Sequence, residues 1–280
     1  MAKNMDAKKI KDKVRAHYAE AIKMAPDSSS CCCGSSPAQG KFAAMAGYQE
    51  SEVQNIPEGL DLPSFGCGNP VDFIEVKSGD TVLDLGSGAG LDLFLAARKV
   101  GPTGHVIGID MTPEMIERAR SNIAKAGATN IEVRHGEMEK MPVDDNSIDW
   151  VISNCVINLS PEKEKVFAEI FRVLKPGGHM VVSDIVAVGE IPEAIQNDMP
   201  SWAGCIGGAV PEKKYLQIAS DAGLTDVKVV GRMQYDRSQL TTLASCGCGS
   251  DSDSCLGPKD LEALSGKLAS VKVAARKPSH

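Results

Sequence analysis

Thr81-Val82-Leu83-Asp84-Leu85-Gly86-Ser87-Gly88-Ala89-Gly90-Leu91-Asp92 is the stretch on which the fold turns. Val82, Leu83 and Leu85 predict a short buried strand. Gly86, Gly88 and Gly90 predict a tight turn into a helix over 91–100, because residues without a Cβ let the main chain approach a ligand closely. The glycines are spaced G-x-G-x-G, whereas the dinucleotide fingerprint G-x-G-x-x-G needs its last glycine at position 91, which is Leu91. The turn alone leaves a nicotinamide cofactor and another nucleotide-like cofactor both open.

The next segments narrow the choice. Val106-Ile-Gly-Ile-Asp110 predicts a second strand whose terminal carboxylate stands 24 residues after Gly86, close to the spacing at which an acidic residue accepts hydrogen bonds from ribose hydroxyls in α/β folds. Met111 offers an apolar side chain to one face of an adenine, and Thr112-Pro113 reads as the N-cap and first residue of a helix reaching Lys125. Strands are expected at 131–134 and 148–154, then a helix over 162–174 stopped by Lys175-Pro-Gly-Gly178, then a strand over 179–184. From 81 to 187 short β-branched runs alternate with helical stretches, the pattern of a parallel sheet with crossover helices. Two more strands are expected at 226–233 and 271–275.

Outside that core, Ile10, Val14, Tyr18 and Ile22 recur every four residues and predict an amphipathic helix over residues 1–25. Residues 26–40, with Cys31, Cys32 and Cys33, lack apolar periodicity and read as a loop. A second Ser/Gly/Asp-rich excursion carries Cys246, Cys248 and Cys255. The expected organisation is an N-terminal helix and Cys-rich loop over 1–60, a cofactor-binding core over 61–187, and a substrate-capping segment with terminal strands over 188–280.

The 280 residues carry 30 Lys+Arg against 37 Asp+Glu, a net charge of −7. No basic footprint therefore suggests nucleic acid or acidic lipid, and a small molecule is the expected partner. Apolar runs such as 150–152 and 180–182 fall far short of the roughly 20 residues of a membrane span, and the N-terminus has no signal-peptide stretch. A cytoplasmic location follows as an expectation, with the nine cysteines mostly reduced. There is no C-x-x-C pair and the five histidines are dispersed, which argues against structural zinc.

Cys67, Cys155 and Cys205 lie far apart in sequence, each beside glycine or asparagine. Thiolates are soft ligands, and three around one site suit a soft, thiophilic atom. An isolated buried cysteine is more often a small core residue than a ligand, so the flanking strings carry the argument.

Taken in order, Leu83-Asp-Leu-Gly-Ser-Gly-Ala-Gly90, the strand-end Asp110, Gly136-Glu-Met-Glu139 and Leu174-Lys-Pro-Gly-Gly178 resemble a class I S-adenosylmethionine-dependent methyltransferase over residues 75–187. The resemblance implies a Rossmann-like seven-stranded sheet with helices on both faces. It places Asp84, Gly86, Ser87, Gly88 and Gly90 at the cofactor, the glycines beside its methionine part. It also puts Asp110 on the ribose, Met111 on the adenine, Met138 and Glu139 at the adenine edge, the Asn154 backbone near the sulfonium, and Tyr18 as a lid residue. Ser64-Phe-Gly-Cys-Gly-Asn-Pro70, Ser153-Asn-Cys-Val-Ile-Asn-Leu159 and Trp202-Ala-Gly-Cys-Ile-Gly-Gly-Ala209 are together similar to arsenite methyltransferases of the short prokaryotic type.

That likeness implies arsenite or an arsenic–thiol adduct as substrate, held by Cys67, Cys155 and Cys205. It implies a thiol such as glutathione, or a reduced dithiol protein such as thioredoxin, as cosubstrate, and arsenic detoxification as the role. Cys31 to Cys33 would deliver arsenic or exchange disulfides with Cys67, while Cys246, Cys248 and Cys255 are equally readable as an accessory metalloid trap and as an idle insertion. Trivalent arsenic is pyramidal, so three thiolates on one face aim its lone pair at a methyl group, and transfer then needs orientation and exclusion of water more than proton transfer. Because free thiols have a pKa of about 8.5, the site is expected to lower it or to bind with proton release. Two other readings fit fewer residues: a quinone-type C- or O-methyltransferase with bystander cysteines, and a non-catalytic metalloid-binding protein.

Overall fold

Val82 and Leu83 are neighbours in sequence yet belong to different cores. Val82 packs with Leu93 and Ala119, whereas Leu83 and Leu85 pack with Phe167, Ile170 and Tyr215. Successive side chains of a strand point to opposite faces, so a strand apolar on both faces must lie inside a sheet covered on both sides. The computed structural model describes residues 6–24, 48, 56–57, 60, 62–63, 66–246 and 256–279. Among these, seven strands form one sheet: β1 (Thr81–Leu85), β2 (His105–Asp110), β3 (Ile131–His135), β4 (Ile148–Asn154), β5 (Leu174–Ala187), β6 (Thr225–Gln234) and β7 (Leu268–Arg276). Their order is β3-β2-β1-β4-β5-β7-β6. The first five pair in parallel, and β7 runs antiparallel to both β5 and β6.

The helices are α1 (Ala7–Met24), α2 (Leu91–Val100), α3 (Pro113–Ala126), α4 (Lys163–Val173), α5 (Glu193–Gln196), α6 (Met199–Ala203), α7 (Glu212–Asp221), α8 (Arg237–Cys246) and α9 (Pro258–Leu264). α2 and α3 cover one face of the sheet, α4 and α7 the other. Each fully buried aliphatic or aromatic side chain there contributes about 1.5–3 kcal/mol relative to exposure. A third core gathers Ile10 and Val14 of α1 with Cys67, Cys155, Cys205, Ile185, Trp202 and Tyr235 near the carboxyl ends of β4 and β5. No helix among the described residues is long and apolar enough to cross a membrane.

The expected elements are present, with one informative difference. Lys175-Pro-Gly-Gly178, expected to be a stop between helix and strand, lies inside β5, which starts at Leu174. Ile148 pairs with Leu174 and Trp150 with His179, so β5 advances five residues while β4 advances two. The surplus forms a bulge with Gly177 at φ +79°. The helices α5 to α9 all went unpredicted; α5 and α6, at four and five residues, hold barely one helical period.

Candidate active site

A cleft of about 980 Å³, measured with its open mouth, lies at the carboxyl ends of β1, β2 and β4. This is where open α/β sheets bind ligands. Its floor is the turn Gly86-Ser87-Gly88, tied to β2 by the Gly86 and Ser87 amides donating to the Ile109 carbonyl at 2.7 and 3.0 Å. Gly86 has φ +65°, and a side chain there would collide with Val156. Gly88 has φ +53° and faces open space, the nearest atom to an added Cβ being Met115 Sδ at 4.0 Å. Gly90 does not line the cleft and instead N-caps α2.

Asp110 sits at one wall, where its Oδ2 accepts the Gly88 amide at 3.0 Å and its Oδ1 the Thr112 amide at 2.8 Å. Burial raises its pKa, and those hydrogen bonds, with one from the Thr112 side chain, oppose the rise. Thr112 therefore occupies the N-cap position of α3 as expected but makes no capping bond with its side chain. Met111, Met138 and Glu139 complete that side, and Glu139 accepts the Ser160 hydroxyl at 2.6 Å. Asp84 lies at the floor with its pKa pushed well above the carboxylate range, first by burial, then by Asp92 and Asp110. The Ser87 hydroxyl is buried and has no partner among the described residues.

The three expected thiols are free, buried and in one apolar cluster. Cys155 lines the cleft, whereas Cys67 and Cys205 do not. The Cys155 thiol adjoins those of both Cys205 and Cys67, and its pKa is pushed well up, first by burial and then by these two neighbours. Of the two expected alternatives, a lowered pKa is thereby excluded at Cys155, since dry apolar surroundings disfavour a thiolate. The Cys205 thiol donates to the Cys155 carbonyl at 2.8 Å, and the Cys67 sulfur is 3.9 Å from the Ser183 hydroxyl. No trio of His, Cys, Asp or Glu among the described residues is arranged as a ready-made metal-ion site. The thiols are therefore gathered but not preset, with the Cys205 thiol turned onto the Cys155 carbonyl. Cys155 and Cys205 both have φ +63°, left-handed backbone that a cysteine adopts only when its surroundings impose it.

Asn154 makes the link between the cleft and the Cys67 loop. Its Oδ1 accepts the Gly68 amide at 3.1 Å, and its Nδ2 donates to the Gly68 carbonyl at 2.5 Å, to the Tyr48 hydroxyl at 2.8 Å and to Asp92 at 3.2 Å. A Cβ at Gly66 would collide with Asn154, and one at Gly68 with Ser183, so the glycines flanking Cys67 are what allow its loop to lie flat on β4 and β5. Sequence reasoning gave no role to Tyr48 or Asp92. Asp92 accepts the Tyr48 hydroxyl at 2.7 Å and also lines the cleft. Over the mouth lies α1, where Tyr18 lines the cleft and donates to the Ala203 carbonyl at 3.0 Å. Lys11 pairs with Glu137 at 2.6 Å. Ser64, Phe65, Cys31, Cys32, Cys33, Cys248 and Cys255 fall outside the described residues, as does the side chain of Cys246.

Comparison with known proteins agrees with this fold. A family described as "Methyltransferase domain" matches residues 76–223. An arsenite methyltransferase of Halobacterium salinarum is 42% identical over 241 residues, covering 82% of this chain and 61% of that protein. The human arsenite methyltransferase is 34% identical, covering 82% of this chain and 62% of its own. This chain thus spans less than two thirds of the length of these relatives. The crystal structure of an arsenic(III) S-adenosylmethionine methyltransferase from Chlamydomonas reinhardtii superposes with a TM-score of 0.66 at 31% identity, covering 81% of this chain and 73% of that one. With a methyltransferase domain over its core and this likeness running through most of its length, the chain belongs to the arsenite methyltransferase family of class I methyltransferases.

Proposed function

We propose that this chain transfers methyl groups from S-adenosylmethionine to trivalent arsenic bound by Cys67, Cys155 and Cys205. The observation that carries the reading is the meeting of three free, buried thiols in one cluster, with Cys155 forming a wall of the cleft that holds the glycine turn and Asp110. The cleft fits the cofactor: Gly88 leaves open space above its backbone, the Asp110 carboxylate lines the wall, and Met111 and Met138 offer apolar faces. In this reading Asp84, Gly86, Ser87 and Gly88 lie along the methionine part, Gly90 supports the turn from behind, Asp110 accepts from the ribose, Met111 and Met138 flank the adenine, and Glu139 meets its edge. Tyr18 and Asn154 close the sulfonium end. When bound, S-adenosylmethionine supplies an electrophilic methyl group that a lone pair can accept.

The protein's part is capture and aim. Neutral arsenous acid condenses with three thiols: three As–O and three S–H bonds break, three As–S and three O–H bonds form, and three waters leave with no change of oxidation state. Burial keeps Cys155 in the thiol form that this condensation uses. The pyramidal product directs its lone pair away from the sulfurs, and α1 with the Cys205 loop excludes water from that side. Because using a lone pair to make an As–C bond oxidises arsenic by two units, the reading includes a thiol reductant. Two thiols of glutathione, or of a reduced dithiol protein such as thioredoxin, give up the electrons and become a disulfide. Arsenic detoxification in the cytoplasm, with Cys31 to Cys33 delivering arsenic or relaying thiol exchange, completes the proposal. The test is to incubate the chain with arsenite, S-adenosylmethionine and glutathione and resolve the arsenic species chromatographically. Methylated arsenicals are expected. A folded chain that binds the cofactor and leaves arsenite unchanged would end the proposal.

A further inference from the structure

The string Asn154-Cys-Val-Ile-Asn-Leu159 contains a second asparagine that the proposed chemistry does not use. Asn158 is fully buried in the 3-10 turn Ile157–Leu159. Its Nδ2 donates to the Ile185 carbonyl at 2.5 Å and to the Cys205 carbonyl at 3.3 Å. Its own carbonyl accepts the Lys163 ammonium at 3.1 Å and lies so close to Gly208 that any side chain there would collide with it. Lys163, only 5% exposed, also donates to the Ser160 carbonyl at 2.8 Å. Its Nζ lies 5.7 Å from the centre of the Trp202 ring. The Trp202 carbonyl in turn accepts the Cys205 amide at 2.9 Å. The turn that carries Cys205 is thus fastened at its carbonyl by Asn158 and at Trp202 by the Lys163 cation, with Gly208 packed closely on the Asn158 backbone.

Two features show that this fastening opposes a real tendency. Cys205 is held at φ +63°, which a non-glycine residue leaves when its turn is released. Lys163 also keeps a charge in a dry site where an apolar side chain of the same length would fill the space without desolvation cost. Asn154 makes the equivalent attachment to Gly68 in the Cys67 loop, so each asparagine of the string holds one of the other two cysteine loops against the Cys155 turn. We infer that Asn158, backed by Lys163, is a positioning residue that sets the Cys205 sulfur against Cys155, and so readies the two sulfurs to share one trivalent arsenic atom. The second half of that statement rests on the proposed function; the first does not.

The test separates them. In the arsenic-free chain, alkylation of Cys205 and Cys67 by iodoacetamide is followed peptide by peptide in the parent, Asn158→Leu and Lys163→Met. Loss of one buried hydrogen bond shifts a local opening equilibrium by roughly tenfold. The expected result is therefore a rise of about tenfold in the Cys205 rate relative to the Cys67 rate, a ratio that general destabilisation leaves unchanged. In parallel, arsenite affinity is read by calorimetry and should weaken about tenfold while cofactor affinity stays within about twofold. If Asn158→Leu does not fold, Asn158→Ser, which removes the amide without adding a branched apolar group, takes its place. An unchanged Cys205:Cys67 ratio in the folded variants overturns the positioning role. A parent chain that fails to bind arsenite but whose variants show the raised ratio overturns the arsenic reading and leaves the positioning role standing.

Discussion

Replacing Gly86 by alanine should destabilise the protein far more than the same change two residues on. At Gly86 two costs add. A side chain at φ +65° carries about 1–2 kcal/mol of left-handed strain. The new Cβ would also stand 2.9 Å from the Val156 Cβ and nearer still to both methyls. Val156 is β-branched and has few rotamers to retreat to, so the overlap costs a further ~1–3 kcal/mol. Gly88 at φ +53° carries the same strain, but its new methyl meets nothing nearer than Met115 Sδ at 4.0 Å. Gly86→Ala is therefore expected to lose ~2–5 kcal/mol and Gly88→Ala ~1–2 kcal/mol. Equilibrium urea unfolding followed by circular dichroism reads the difference, and calorimetry should show that Gly88→Ala, whose methyl projects into the cleft, loses cofactor affinity despite its milder effect on stability. Equal losses of stability in the two variants, or a larger loss at Gly88, would refute the packing argument.

Two further outcomes follow from the buried titrating groups. Because burial holds the Cys155 thiol protonated at neutral pH, arsenite binding should release water and not protons, so calorimetric enthalpies in buffers of different ionisation heat should coincide; a strong buffer dependence would mean thiolates. Asp184, pushed up to about 7 by burial although the Tyr215 hydroxyl and Lys163 oppose the shift, holds its proton in the folded state at pH values where the unfolded chain, with a carboxyl pKa of about 3.9, has lost it. The stability of the parent relative to Asp184→Asn should thus fall as pH rises from about 4 to about 7 and level off above, and urea titrations showing a flat or rising difference would contradict this.

The glycine turn, the strand-end Asp110 and the helix Leu91–Val100 were legible because each is a local matter of period, spacing and backbone freedom. The three cysteines could be picked out by their flanking residues, and the structure brings them into one cluster. What stayed hidden depends on contacts between distant segments. Asn158 and Lys163 bond to backbone carbonyls, which every residue has, so no sequence pattern announces them. Tyr48 reaches Asp92 and Asn154 only after β1 and β4 have paired. Lys175-Pro-Gly-Gly178 read as a stop because a bulge that absorbs surplus residues is decided by the partner strand. The rise in the Cys155 pKa depends on desolvation by a core assembled from both ends of the chain, which residue type alone does not reveal.

Cys67, Cys155 and Cys205 are proposed to bind a single arsenic atom. Arsenic K-edge absorption spectroscopy of the chain loaded with one equivalent of arsenite, with a phosphine as the only added reductant, tests it most directly. The parent should show three sulfur neighbours and no oxygen, provided Cys31 to Cys33, Cys246, Cys248 and Cys255 are first changed to serine so that no other thiol contributes. Changing Cys155 or Cys205 to serine in that background should reduce the sulfur shell and stop methylation, because a hydroxyl is a hard ligand for a soft centre. Full three-sulfur coordination persisting in either serine variant, or oxygen neighbours in the parent, would contradict the account.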